Sequence, residues 1–172
     1  MKAILSVKNL KKYFSVKNSW GNDVAVVKAL DGVDLKIEFG KTFGIVGESG
    51  CGKTTLMRTL LRLVEPTSGS VVLSDEIVSE QGSSNKLEEL SSEELRKFRR
   101  QIGVVFQDPM GALNPRMIIK DIVSEPLVIH GKTDRIREKV IELLENVGLS
   151  EEHLYRYPHE FSGGQRQRIV IA

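Results

Sequence analysis

The chain has 172 residues, of which 40% are hydrophobic and 28% are charged, and it carries a formal net charge of +2. This length and composition are typical of one soluble globular domain, and the sequence has no apolar run of the roughly 18 residues that cross a membrane. The close balance of 25 basic and 23 acidic residues gives no indication of nucleic-acid binding, and the single cysteine, Cys51, excludes an internal disulfide.

The N-terminal part of the chain is predicted to be antiparallel β-sheet. Apolar and polar residues alternate over residues 3–14 and 25–39, and the polar stretch SVKNSWGND joins the two segments. We therefore expect two strands connected by a hairpin turn or loop.

A strand, a turn and a helix are predicted next. Residues 42–46 form a short apolar run that leads into glycines, which indicates a strand followed by a turn. In the stretch KTTLMRTLLRLV that follows, Leu56, Leu60 and Leu63 share one helix face.

Another strand is predicted for SGSVVL, and a polar connection without clear period comes after it. Ser91 and Glu94 then form a capping-box pattern at the start of a short helix. This helix leads into residues 102–106, which we predict to be a buried strand.

Helices are predicted to dominate the rest of the chain. In the clearest of them, Thr133 or Asp134 is the expected N-cap and Gly148 the expected C-terminal stop. Its apolar positions recur at helical spacing and would form one buried face.

A glycine-rich loop lies between the predicted strand at 42–46 and the helix after it. Gly47, Gly52, Lys53 and Thr54 match G-x-x-x-x-G-K-[ST] in every position, in the context that supports such a loop. Glycines let backbone N–H groups turn around phosphate oxygens, and the helix N-terminus adds unpaired donors. Lys53 is expected to reach the β- and γ-phosphates, and the Thr54 hydroxyl to ligate Mg²⁺. The predicted contacts are Gly47, Glu48, Ser49, Gly50, Cys51, Gly52, Lys53, Thr54 and Thr55.

An adenine base would need an aromatic partner, and the residues alone leave the choice open. Tyr13, Phe14 and Trp20 all lie upstream of the glycine-rich loop. Any of them can stack on a base, and core packing or an exposed hairpin position is an equally good explanation for each.

Three motifs follow one another along the chain: the glycine-rich loop, a glutamine after the apolar run in GVVFQDP, and FSGGQ at the start of a helix. In this order they resemble the ATP-binding subunits of ABC transporters, over all 172 residues. Phe161 in HEFSGGQRQRI, together with FQDPMGALNPRM, resembles the branch that imports oligopeptides, dipeptides or nickel.

The resemblance implies an α/β fold, with a P-loop NTPase core, an N-terminal antiparallel β-subdomain and a helical signature subdomain. It places the ATP-binding core at about residues 1–107, the helical subdomain at about 108–165 and the start of the signature helix at 166–172. Together these would form a single, partial nucleotide-binding domain over residues 1–172.

Site residues carry over from the family where this sequence matches its motifs. Counting from Asn9, the adenine-stacking position falls on Phe14, with Tyr13 as the alternative. Gln107 matches the glutamine that touches Mg²⁺ and the attacking water. The signature residues are expected to close over the γ-phosphate held by a second subunit; they are Ser162, Gly163, Gly164 and Gln165.

The sequence also departs from the family pattern. An Mg²⁺-associated Asp and a catalytic Glu are expected shortly after the signature helix begins, and a switch histidine later, and the 172 residues hold none of them. We therefore expect the chain to be incomplete at its C-terminus and to hold ATP without hydrolysing it alone.

The partners that the resemblance implies are a second ATP-binding subunit, identical or different, transmembrane permease subunits and, indirectly, a solute-binding protein. No nucleic acid is expected, and the location would be cytoplasmic, at the inner face of the membrane. The loop 108–117 is expected to be exposed, mobile and in contact with the permease.

Three other interpretations compete with an importer subunit. A non-transport ABC ATPase of DNA repair or translation should carry a basic or coiled insertion. The basic cluster within residues 96–100 instead lies beside Glu93 and Glu94 on one short helix, as on a solvated face. A nucleotide kinase or another P-loop enzyme would account for the glycine-rich loop but would leave FSGGQ without a role. The third alternative is an inactive, truncated nucleotide-binding fragment.

The sequence does not indicate which solute would be transported.

Overall fold

The computed structural model describes residues 2–74, 77, 85–106 and 109–172, with only the backbone described for Asp23, Pro109 and Met110. The chain divides into two compact units, Met1–Gly103 and Val104–Ala172. Each unit has its own cluster of buried apolar side chains.

The sheet of the first unit confirms the predicted hairpin. Strand β1 (Ala3–Lys17) pairs antiparallel with β2 (Asp23–Glu38) and, on its other side, with β3 (Ser68–Leu73), so the order is β2-β1-β3. Both hairpin strands are longer than the sequence pattern indicates. Asn18 closes the turn between them, because its side-chain oxygen accepts hydrogen bonds from the N–H groups of Trp20 and Asn22, at 3.0 and 2.9 Å.

Two helices pack in this unit. Helix α1 (Lys53–Leu60) buries Leu56 in the core, together with Leu10 and Leu30. It ends earlier than predicted, so Leu63 is exposed. Helix α2 (Ser92–Arg99) begins with the predicted capping box and buries Phe98.

Two predicted strands are absent from the described residues. Residues 42–46 and 102–106 adopt no regular structure. Most of their apolar side chains are exposed, Val46 at 97% and Val105 at 60%, although Ile102 packs half-buried against the core. An apolar run indicates an affinity for burial, but a strand exists only where a neighbouring strand pairs with its N–H and C=O groups. No described strand pairs with either segment, so both predictions are wrong for this structure.

The second unit is helical, with a buried cluster that includes Ile119, Val140, Leu144 and Phe161. Its helices are α3 (Pro109–Ala112), α4 (Ile119–Ile129), α5 (Ile136–Asn146) and α6 (Gly163–Ile171). In the part of the chain that the structure describes, none of the helices has the length and apolar character needed to span a bilayer.

The start of α5 corrects the predicted N-cap. The N-cap is Arg135, whose φ of 48° is left-handed, and neither Thr133 nor Asp134 takes that position. A helix begins where φ and ψ enter the right-handed region, and the Arg135 conformation delays that entry. At the other end Gly148 has a φ of 73° and ends the helix as predicted.

Candidate functional site

The glycine-rich loop meets α1 at a residue that must be glycine. Gly52 has a φ of 96°, and a Cβ atom there would lie 2.4 Å from the carbonyl oxygen of Ala29 in β2. No side chain larger than hydrogen fits against that backbone oxygen. The close approach fixes the start of α1 against the sheet, and with it the end of the loop.

Lys53 lies across the loop that precedes it. Its ammonium donates hydrogen bonds to the carbonyl oxygens of Gly47 and Glu48, at 2.7 and 2.6 Å, and lies 3.5 Å from the Cys51 sulfur. An ammonium has three protons; two go to the carbonyls and the third to the Cys51 sulfur, a weak acceptor that a phosphate oxygen can replace. The charge is thus held in a fixed place at the mouth of the loop.

The N-terminus of α1 has the features of an anion site. Among the described residues no side chain caps it, and its first turn contains no acidic residue. The first backbone N–H groups of a helix have no partner within the helix, and the helix dipole adds positive potential at this end. Lys53 adds a full charge to these donors.

A divalent cation that accompanies a triphosphate has a suitable oxygen nearby. Thr54, in the first turn of α1, is exposed, and a hydroxyl is an appropriate ligand for Mg²⁺, which keeps most of its shell as water and phosphate oxygens. Within the described ranges no cluster of three His, Cys, Asp or Glu side chains forms a metal site of its own. The exposed Thr54 hydroxyl is therefore the oxygen of this helix turn that fits such a cation.

The hairpin presents Phe14 and Tyr13 on opposite faces. Lys12 pairs with Leu30 across the strands, and Leu30 packs with α1 in the core. Directly paired residues share a face, and residues two apart in a strand do the same. Lys12 and Phe14 therefore lie on the face of α1, and Tyr13 lies on the other.

Tyr13 is already engaged on its own face. Its hydroxyl donates a hydrogen bond to the Asp31 carboxylate, and Lys28 lies 3.4 Å from the same carboxylate. The hydrogen bond to Asp31 raises the pKa of Tyr13 and lowers the pKa of Asp31. Phe14 is 40% exposed on the face of the glycine-rich loop, and this arrangement favours Phe14 over Tyr13 as the base platform.

The FSGGQ segment forms a second helix N-terminus with open donors. Ser162 is the N-cap of α6; its hydroxyl accepts from the N–H of Gln165 at 3.3 Å, and the Gln165 side chain accepts from the Ser162 N–H at 3.0 Å. This box uses the N–H groups of the first and last residues, and leaves those of Gly163 and Gly164 between them. The S-x-x-Q spacing of Ser162 and Gln165 is a recognisable capping pattern, so Gln165 has a structural role besides the ligand contact predicted for it.

Phe161 anchors this loop to the second unit. Its side chain is buried and its ring lies 5.3 Å from the ring of His153, between centroids. The Phe161 carbonyl accepts a hydrogen bond from the Arg166 guanidinium at 2.9 Å. Both contacts fix the direction in which the segment enters α6.

Gln107 and Asp108 lie outside the described residues. In the rest of the predicted permease loop, the residues at 111–116 are exposed apart from Leu113, which is buried in the helical core. Leu113 is thus a packing residue of the second unit.

An open depression of about 550 Å³ lies elsewhere on the second unit. Its lining includes Glu145, Glu151 and Glu152, with Ser150 and Tyr155. Three carboxylates repel a polyphosphate, so this depression does not suit a nucleotide.

Comparison with known proteins agrees with these features. The profile of the ABC transporter family matches residues 30–172. The chain is 48% identical over 173 residues to the oligopeptide transport ATP-binding protein AppF of Bacillus subtilis (strain 168), a match that covers 98% of this chain and 50% of that protein. It is 42% identical over 174 residues to the di/tripeptide transport ATP-binding protein DppF of Pseudomonas aeruginosa (strain UCBPP-PA14), covering 100% of this chain and 51% of that one.

Solved structures give the same fold. The ATP-binding cassette MJ0796, solved as a dimer in a post-hydrolysis state bound to ADP and Pi, superposes with a TM-score of 0.76 at 30% identity, over 97% of this chain and 67% of that one. CbiO1 from Clostridium perfringens gives a TM-score of 0.71 at 28% identity, over 99% and 60%. The chain spans about half the length of the curated relatives it matches.

Proposed function

Because the chain belongs to the ABC transporter family of ATPases, we propose that it is the ATP-binding subunit of an importer of oligopeptides or dipeptides. The observation that carries this proposal is the Lys53 ammonium, held by the carbonyls of Gly47 and Glu48 at the open N-terminus of α1. The names of the relatives, which are oligopeptide and di/tripeptide transport proteins, support the solute class.

In the proposed complex the glycine-rich loop holds the triphosphate of ATP. The N–H groups of the first turn of α1 and the Lys53 ammonium bind phosphate oxygens, and the Thr54 hydroxyl is the protein ligand of Mg²⁺. When bound, Mg²⁺ neutralises charge on the β- and γ-phosphates. Gln107 is proposed as a second contact to the ion and to the attacking water.

The base is proposed to stack on Phe14. The ring is exposed on the same face of the hairpin as α1, and every base offers a π-face to an aromatic side chain. Tyr13 is a weaker candidate, because its hydroxyl and its face of the strand are committed to Asp31.

The signature loop is proposed to serve a nucleotide on a second subunit. The Ser162 hydroxyl accepts from Gln165 and therefore keeps its own proton for a phosphate oxygen, and the N–H groups of Gly163 and Gly164 provide two more donors. Binding energy for ATP would then favour closure of the two subunits. The MJ0796 cassette is described as a dimer.

The transport partners follow from the same proposal. Permease subunits would cross the membrane, and the exposed residues within 111–116 would contact them, with the chain at the cytoplasmic surface. A solute-binding protein would select the peptide outside. Crosslinks from this segment that reach no permease subunit in the assembled transporter would contradict the assignment of the contact.

The importer function is tested by uptake in cells whose only copy of the gene carries Lys53→Ala. We expect uptake of labelled oligopeptides or dipeptides to be lost, while Arg58→Ala, at the exposed C-terminal end of α1, retains it. Normal peptide uptake with Lys53→Ala would refute the importer proposal. If Lys53→Ala abolished nickel uptake but not peptide uptake, the peptide assignment would be refuted, whereas the assignment of the ATP site would stand.

A further inference from the structure

Lys12 contacts the ring on which the base is proposed to stack. Its ammonium lies 4.8 Å from the centroid of the Phe14 ring, within the range of a cation–π interaction. In the described part of the chain, no carboxylate forms an ion pair with Lys12. The Phe14 ring is thus the contact that the structure records for this charge.

A second lysine of the same hairpin makes the same kind of contact on the opposite face. The Lys28 ammonium lies 5.5 Å from the Tyr13 ring centroid. It also pairs with Asp31, at 3.4 Å. The two lysines differ in two respects: Lys28 also pairs with a carboxylate, and of the two only Lys12 lies on the face of the glycine-rich loop.

An exposed phenyl ring at the end of a β-ribbon is a poor platform unless something restricts its rotamers. Phe14 is 40% exposed, so burial alone does not hold the ring in one orientation. A cation on one face restricts it and leaves the opposite face available to a second planar group. Restricting a side chain before a ligand arrives lowers the cost of ordering it during binding.

We propose that Lys12 is a positioning residue for base recognition: it holds the Phe14 ring in the orientation in which the ring accepts the adenine of ATP. This inference rests on the proposed function, and specifically on Phe14 as the stacking residue. Lys12 acts through Phe14 and contributes to the part of the binding energy that depends on the base.

The experiment compares ATP with inorganic tripolyphosphate, which lacks the base and ribose. The full chain and its variants are titrated with each ligand in the presence of Mg²⁺, and circular dichroism checks that each variant is folded. Lys12→Met removes the charge at similar length, and Lys12→Arg retains a cation that stacks on aromatic rings. Lys28→Met is the matched control on the Tyr13 face.

We expect Lys12→Met to weaken ATP binding by about two- to five-fold, the range of an exposed cation–π contact. Tripolyphosphate affinity should be unchanged, Lys12→Arg should restore ATP affinity, and Lys28→Met should bind both ligands as the unchanged chain does. A merely structural role would lower the affinity for both ligands.

Several results would overturn the inference. Tighter ATP binding by Lys12→Met would mean that the ammonium competes with the base for the ring. Equal weakening of ATP and tripolyphosphate would mean that Lys12 contributes charge alone, and a change below two-fold would mean that it contributes nothing. Failure of the proposed function would give different results. Either the unchanged chain would bind neither ATP nor tripolyphosphate, or Lys53→Ala would bind both with normal affinity.

Discussion

Ser162 and Gln165 hold each other at the start of α6: the Ser162 hydroxyl accepts the N–H of Gln165 at 3.3 Å, and the Gln165 side chain accepts the N–H of Ser162 at 3.0 Å. Ser91 and Glu94 make the same reciprocal contacts at the start of α2. The two capping boxes have the same geometry, but only the one at α6 is proposed to bind a nucleotide. The box at α2 therefore serves as a control for the box at α6.

Ser162→Ala should cost about 0.5–2 kcal/mol of stability through loss of the cap, and Ser91→Ala should cost about the same. Only Ser162→Ala should also weaken ATP-dependent pairing with a second subunit, because it removes a proposed phosphate donor. Urea unfolding and sedimentation with and without Mg-ATP measure the two effects. If both alanine variants pair equally well, the signature loop does not contact the nucleotide.

Gly52→Ala should destabilise the first unit and abolish ATP binding, because the new Cβ would lie 2.4 Å from the Ala29 carbonyl. Gly40→Ala is the control, since Gly40 also has a positive φ, 66°, but a Cβ there would meet no described atom within 4 Å beyond its chain neighbours. It should show only the cost of the left-handed conformation, about 1–2 kcal/mol. Thermal unfolding and ATP titration of both variants distinguish steric overlap from backbone strain, and equal behaviour would contradict the close approach.

Phe14→Ala should weaken ATP binding by about 1–3 kcal/mol, the usual value for base–aromatic stacking. Tyr13→Ala should leave the affinity unchanged, because Tyr13 lies on the other face of the strand. Isothermal titration with Mg-ATP measures both. If only Tyr13→Ala weakened binding, the stacking residue would be Tyr13 and not Phe14.

Tyr13→Phe should change the titration of Asp31 and leave ATP binding unaltered. The hydrogen bond from Tyr13, followed by the contact with Lys28, lowers the pKa of Asp31 in the folded chain. The resulting stability is present above the ordinary carboxyl pKa of about 3.9 and is lost as the pH falls through the lowered value. In Tyr13→Phe the Asp31 pKa should move back up, as carboxyl NMR titration would show. An unchanged pKa would mean that Lys28 and Lys11 lower it without the tyrosine.

The local structure around the proposed site follows from the sequence where it depends on residues close together in the chain. The positions of Gly47, Gly52 and Lys53 define the loop, and the Ser91 capping box depends on a three-residue spacing that the structure reproduces. The sequence places the proposed stacking position on Phe14 with Tyr13 as the alternative. Strand alternation assigns opposite faces to the two residues, but only tertiary packing determines which face receives α1.

The predictions of strands at 42–46 and 102–106 were wrong because they, too, depend on tertiary structure. Their apolar composition records a tendency to be buried, whereas strand formation depends on a partner that no local pattern specifies. The start of α5 was displaced by the left-handed conformation of Arg135, which is unusual for a residue with a side chain. The Lys12–Phe14 contact was missed because strand spacing alone does not indicate that a long side chain folds over its neighbour.

The central claim is that the loop ending in Lys53 binds the triphosphate of Mg-ATP, and direct titration of the purified chain tests it. The unchanged chain and Arg58→Ala should bind a fluorescent ATP analogue with the same affinity, because Arg58 lies in the last turn of α1. Lys53→Ala should show no saturable binding, since it removes the charge held by Gly47 and Glu48. Equal affinity of Lys53→Ala and the unchanged chain would contradict the account.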